Sequence, residues 1–361
     1  MARWGVSVFL GGPDVAGRLD PYLDAVAAGG GSEVFTSLHI PEVPLASALE
    51  HLAALTGAAG SRGLAVVADI APGALQKMGA SPDDLSPLAA MGLAGIRLDY
   101  GFAPDQVARF ARNRQGLRVV LNTSTVDPDY LRQVMVAGAD PVLLESCHNY
   151  YPRPETGLSL EGLRRSSLYF KEYGLRVAAF VPGAGARRGP LFEGLPTLER
   201  HRRMDAGQAA VELLATGLID TVLFGDPWAA PQDLERVAAM CAASLRVRLT
   251  PGLSPIERRI VTDAGHANRP DAAEFVVRST ASRAYAAGGP AIAPHHTVER
   301  PLGSITIDNE KYLRYSGELQ VTLADLPADA RVNVVGHVIP EDLPLLSLIG
   351  PGTAFRLVPV E

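Results

Sequence analysis

Lysine is nearly missing from this chain: only Lys77, Lys171 and Lys311 contribute to its 33 cationic side chains. None of the three stands at the end of a predicted strand, so the usual amine for Schiff-base chemistry is lacking. The positive charge is almost all arginine, which reads as compositional bias or as forked recognition of anions. Cysteine is scarcer still, with Cys147 and Cys241 far apart. That excludes a disulfide scaffold and a Cys-rich zinc motif, and it fits a reducing compartment. No histidine pair has the i, i+4 spacing of a zinc helix, so no metal is expected. No run approaches the ~20 apolar residues of a membrane span. The opening MARWGVSVFLGGPD has too short an apolar stretch for a signal peptide and enters a strand pattern at once. A formal net charge of −6 supplies no basic field for nucleic acid. The expectation is a cytoplasmic globular protein with neither nucleic-acid nor membrane partners; a homodimer stays open.

What is present is a cycle. Short β-branched runs at Arg3–Leu10, Glu33–Leu38, Gly63–Ile70, Gly95–Tyr100, Leu117–Asn122, Pro141–Glu145, Leu175–Val181 and Ile219–Phe224 each precede a helix-like segment. Eight β-α units in about 245 residues is the span of a (β/α)₈ barrel, and the runs lack clean alternation, as buried parallel strands should. An open doubly wound sheet is the alternative, but no Gly-rich dinucleotide turn supports it. After Leu245 the helical cycling stops. Runs such as RVRLT, EFVVRST, SITID and RVNVVGHVI, parted by Gly and Pro, predict a second, mostly β domain over residues 246–361.

In such a barrel the reactive groups stand where strands end and βα loops begin. Collecting those ends gives Asp14 in the first loop, then His39 and Glu42, Asp69, Asp99, Asn122 and Ser124. The sixth strand runs into Glu145 and a loop crowded with His148, Asn149, Tyr150, Tyr151 and Arg153, and the eighth ends at Asp226. Asp69, Asp99, Glu145 and Asp226 are the candidate catalytic carboxyls, with Asp99 and Glu145 preferred and the others as structural anchors in reserve. The seventh loop, PGAGARRGPLFEGLP, joins glycines to Arg187, Arg188 and Glu193 and reads as an anion site or as a solvated loop. Cys147 reads as a buried thiol rather than a nucleophile, because no base and orienter accompany it. His201 reads as a surface residue, and His295 and His296 as a loop pair satisfied within the second domain.

Several stretches carry a resemblance. FTSLHIPE, RLDYGF, LLESCHNYYPRPETGLS, RGPLFEGLPTLERHR, GDPWA, ITIDNEKYLRYSGELQ and RVNVVGHV, in this order, resemble the bacterial 6-phospho-N-acetylmuramidases of the MupG type. The resemblance implies a barrel followed by a cyclophilin-like β domain. It also implies cleavage of a phosphorylated disaccharide, 6-phospho-N-acetylmuramic acid linked to N-acetylglucosamine, during cell-wall sugar recycling, with no cofactor. Glycosidic cleavage takes two carboxyl groups. Many glycosidase barrels place them after strands four and seven, yet strand seven here ends FVPG without an acid. The expected pair is therefore Asp99 and Glu145. His39, Asn122, His148, Asn149, Tyr151, Arg153, Arg187, Arg188 and Glu193 are expected to bind substrate, and Arg278 and Arg283 to close over its anionic end. A sugar-phosphate isomerase, epimerase or aldolase, or a silent sugar-phosphate-binding protein, are the competing functions.

Overall fold

The computed structural model describes residues 2–11, 15–38, 44–262, 265–282 and 291–360. Asp14, His39, Glu42 and Arg283 lie outside the described residues. The chain divides into two compact units, Ala2–Ala238 and Ala239–Glu361.

The first unit is a closed parallel barrel of β1 (Arg3–Ser7), β2 (Glu33–Ser37), β3 (Ala65–Ile70), β4 (Gly95–Leu98), β5 (Arg118–Asn122), β6 (Leu144–Cys147), β7 (Arg176–Val181) and β8 (Thr221–Pro227). Helices connect the strands, as a right-handed parallel crossover requires. Their starts are written locally: Asp127, Ser159 and Asp205 each accept a backbone N–H of the following turn. The helix-like segment expected after the seventh strand is divided by that last cap. It becomes a 3₁₀ turn, Glu199–His201, and a helix, Ala206–Ala215.

Period-two alternation sorts the inward side chains into layers. At the amino-terminal floor Arg3, Glu33, Arg118 and Glu145 form an ion network. Above it Phe35, Val67, Val120, Cys147, Ala178, Phe180 and Leu223 make the apolar middle. At the carboxy-terminal mouth stand Asp69, Arg97, Asn122 and Asn149, joined by hydrogen bonds.

One strand departs from expectation, and its shift matters. Pro141–Leu144 looked like strand, but residues 141–143 form a turn in which Val142 is 83% exposed. Asp140 builds that turn: its side chain accepts Val142 N–H at 2.9 Å and its carbonyl accepts Leu143 N–H at 3.2 Å. β6 therefore begins at Leu144 rather than ending at Glu145.

The second unit is a mixed six-stranded sheet. It comprises β9 (Ser244–Leu249), β10 (Val276–Arg278), β11 (Ser304–Asp308), β12 (Leu319–Thr322), β13 (Val332–Val338) and β14 (Arg356–Pro359), in the order β10-β12-β11-β13-β9-β14. Isolated bridges Asn268↔Ser279 and Ala267↔Ala354 link its two edges and curl it. A helix, Pro255–Thr262, was not evident in the sequence. Among the described residues no helix is long and apolar enough to cross a membrane.

Candidate active site

Arg97 is the hub of the barrel mouth. It lies on β4 two residues before Asp99, so both side chains share the inward face while Ile96 and Leu98 pack outward. One terminal nitrogen, Nη1, donates to Asp69 Oδ1 at 2.8 Å and to Asp99 Oδ1 at 3.4 Å. The other, Nη2, donates to Asn149 Oδ1 at 2.6 Å. Asn122 Nδ2 closes the ring, donating to Asp99 Oδ1 at 3.2 Å and Asn149 Oδ1 at 3.1 Å. Burial on its own lowers the Arg97 pKa, but the neighbouring Asp69 and Asp99 carboxylates more than reverse this and raise it. A fixed cation thus sits between two acids. The Asp69 side chain is 10% exposed and that of Asp99 26%, so Asp99 is the more open of the two.

Alternation along β6 decides the fate of its loop. Glu145, Cys147 and Asn149 point inward at successive heights, whereas Ser146 and His148 point outward. Glu145 is accordingly not at the mouth, contrary to expectation. It lies at the opposite end, accepting from Arg3 Nη2 at 2.9 Å and Arg118 Nη1 at 2.8 Å. A cleft at that floor is lined by Arg3, Glu33, Glu145 and Arg176. His148 is also misplaced by the expectation. It is buried behind the strand, with Nδ1 3.3 Å from Ser124 Oγ and Nε2 2.9 Å from Ser167 Oγ. Burial, helped by Arg97, pushes its pKa down to about 3, so the ring is neutral. Ser124 Oγ also accepts the Asn149 N–H at 2.9 Å, so His148 acts on the site only by steadying that turn. Cys147 is buried, with its thiol pushed up to about 12 mainly by burial, which suits a packing residue.

Asp226 is fully buried and spends its carboxylate on the seventh loop. It accepts Leu195 N–H at 3.0 Å, Gly183 N–H at 3.2 Å and Arg188 N–H at 3.4 Å. Burial raises its pKa while those amides oppose the rise. It fixes the loop rather than facing the mouth. Gly225, just before it, has no room for a side chain, because a Cβ would collide with the Leu195 carbonyl. The loop so held presents Arg188, whose Nη1 donates to Tyr150 Oη at 2.8 Å. Arg187 stays within the loop, reaching the Phe192 carbonyl at 3.5 Å, and Glu193 is half-buried there. Tyr151 and Arg153 are placed by their backbones. Arg202 Nη1 donates to the Tyr151 carbonyl at 2.9 Å and Nη2 to that of Arg153 at 3.2 Å. Arg202 in turn holds the Glu199 carboxyl at about 2, well below its usual range.

Two residues the sequence reading passed over are central here. Arg97 was legible as the alternate position to Asp99 in RLDYG. Ser7, the last inward residue of β1, carried no signal beyond its place. In the second unit Arg278 pairs with Glu318 at 2.7 Å, and His295 with Glu257 at 2.6 Å.

The 6-phospho-N-acetylmuramidase family models match residues 4–239, as the N-terminal domain, and 243–358, as the C-terminal domain. The chain belongs to this family. It is a glycosidase of the barrel-plus-β-domain type. A Bacillus cereus crystal structure of an uncharacterized protein is 32% identical, with 99% of each chain covered and a TM-score of 0.71. An Enterococcus faecalis structure of unknown function is 38% identical, covering 99% of this chain and 96% of that one, with a TM-score of 0.64. Among curated proteins none matches. In this 6-phospho-N-acetylmuramidase family member, the carboxylates that share the barrel mouth among the described residues are Asp69 and Asp99.

Proposed function

We propose that this glycosidase splits the bond between 6-phospho-N-acetylmuramic acid and N-acetylglucosamine, in the cytoplasm during cell-wall sugar recycling, with Asp69 and Asp99 as its two carboxyl groups. The observation that carries the pair is the shared nitrogen of Arg97. Because Nη1 is 2.8 Å from Asp69 Oδ1 and 3.4 Å from Asp99 Oδ1, those oxygens are separated by at most about 6 Å. Retaining glycosidases hold their carboxyl groups about 5–5.5 Å apart, and inverting ones leave room for a water at about 6.5–9.5 Å. The spacing favours retention.

Asp69, bound more closely by the guanidinium, is the nucleophile that attacks the anomeric carbon. Asp99, more open, gives its proton to the departing N-acetylglucosamine oxygen. Water then attacks the glycosyl ester, Asp99 takes its proton, and the muramic acid 6-phosphate leaves. Arg97, Asn122 and Asn149 hold the pair in place, as the geometry of such a displacement demands. Tyr100, 65% exposed beside Asp99, offers an aromatic face to a sugar ring.

The test is release of N-acetylglucosamine from the phosphorylated disaccharide, with product stereochemistry followed by NMR. Asp69→Asn and Asp99→Asn are each expected to lower kcat by about 10³-fold or more. No release by the wild type refutes the function. Either variant keeping a tenth of wild-type turnover refutes the pair.

A further inference from the structure

A cleft opens on the β1–β2–β8 side of the mouth. It is lined by Ser7, Phe9, Ser37, Tyr150, Arg188 and Gly225. The Asp69–Asp99 pair belongs to β3 and β4, so the hydrolytic chemistry leaves this cleft unused.

Three features of it point to an anion. The Arg188 guanidinium stands 5.3 Å from the ring centres of both Phe9 and Tyr150, and no carboxylate of the described residues lies within ion-pair distance. Of its five N–H donors one is committed to Tyr150 Oη at 2.8 Å, leaving the fork to face the cleft. Tyr150 is itself wedged edge-on against Phe35 and Phe180, at 6.4 and 5.1 Å, so the guanidinium is aimed by the apolar core. Below it Ser7, 7% exposed, has a hydroxyl with no hydrogen-bond partner. A buried orphan hydroxyl costs free energy unless a ligand uses it.

We propose that this cleft is the phosphate subsite, with Arg188 as the fork, Ser7 as a donor from below and Tyr150 as the positioning residue. The identity of the molecule carrying the phosphate rests on the glycosidase function proposed above. A phosphate monoester has three terminal oxygens and matches a fork plus a hydroxyl on a second side, whereas a carboxylate is satisfied by the fork alone. The placement agrees with the chemistry of the sugar, since C6 is an exocyclic carbon on C5 and carries its phosphate outside the ring, clear of the bond that breaks at C1. It also agrees with barrels in general, where loops after strands seven and eight commonly hold phosphate.

The test compares wild type, Arg188→Gln and Ser7→Ala on the disaccharide with and without its 6-phosphate, and on a 6-phosphorylated disaccharide lacking the lactyl group. Inorganic phosphate is titrated calorimetrically in parallel. Arg188→Gln is expected to cut kcat/KM on the phosphorylated substrate on the order of a hundredfold and to erase most of the preference for it. Ser7→Ala is expected to weaken phosphate binding about tenfold without lowering Tm, because it removes an orphan hydroxyl rather than a bond. An equal loss on phosphorylated and unphosphorylated substrates overturns the proposal. So does wild-type phosphate affinity in Arg188→Gln. Dependence on Arg188 that vanishes with the lactyl group assigns the guanidinium to that carboxylate and also overturns it. If the wild type cleaves neither disaccharide, the glycosidase function fails by itself, and the phosphate titration alone decides the subsite.

Discussion

Replacing Glu145 by Gln separates the two ends of the barrel. At the floor, Glu145 accepts one hydrogen bond from Arg3 at 2.9 Å and one from Arg118 at 2.8 Å, with its side chain 14% exposed. Gln keeps one carbonyl acceptor and loses the charge, so about one of the two contacts goes. A hydrogen bond to a charged group contributes about 1.5–3 kcal/mol. The Arg3 and Arg118 side chains are 27% and 18% exposed, and Arg118 retains Glu33 at 2.6 Å, so neither cation is stranded. Water screening keeps the net loss at about 1.5–2 kcal/mol. For a unit of this size that lowers Tm by about 3–8 °C. The reacting end is four residues further along the same extended segment, about 13 Å away at strand rise. Turnover is therefore expected to stay within about threefold of wild type, since no group at the bond being broken is touched. The assays are calorimetric melting at one fixed scan rate and N-acetylglucosamine release at saturating substrate. A variant that melts like wild type but has lost a hundredfold in kcat would show that Glu145 acts on substrate, and the layer argument would fall.

Two further predictions concern pH. Burial, with Glu318 and Asp329 adding repulsion, raises Asp308 from an ordinary 3.8 to about 7. The folded state holds its proton more tightly than the unfolded state, so its contribution is full below about pH 4 and is lost as pH rises through about 7. Asp308→Asn is expected to flatten the fall in stability between pH 4 and 8 by a few kcal/mol at most, read from urea midpoints across that range; an unchanged slope refutes it. His148 has the opposite sign. Its pKa is lowered to about 3, so its contribution is present above about 6.5 and lost as pH falls toward 3. Its ring is also neutral at neutral pH. His148→Gln should flatten the acid limb of stability yet leave the pKa values of the kcat/KM profile unmoved, and a displaced limb in that profile would make His148 a proton carrier.

The chemistry of the mouth was only half legible. Asp99 and Asn122 were legible as strand-end groups because they follow apolar runs directly, and Asn149 because its loop is crowded with polar groups; the structure brings the three together at the mouth. Arg97 was not among the candidates, although its i, i+2 spacing from Asp99 puts the two on one face. Glu145 and His148 were misjudged for one reason: the boundary of the sixth strand was placed about three residues early. A turn built by Asp140 contains the apolar Pro141–Leu143, and composition does not distinguish such a turn from a short buried strand.

By itself the sequence determined the architecture and the family. Eight repeats of strand and helix within some 245 residues allow few closures, and long ordered stretches identify the glycosidases this chain belongs to. Which side chains meet was decided only by the tertiary structure. A barrel strand has period two, so a shift of one residue moves a group from the interior to the helix side, and a shift of four moves it from floor to mouth. Nothing local to the sixth strand records that register. It is set by pairing with β5 and β7, where Cys147 stands opposite Asn122 and Ala178. The same closure brings Arg188 to Tyr150, 38 positions apart in the chain, and Asp69 to Asp99 through Arg97.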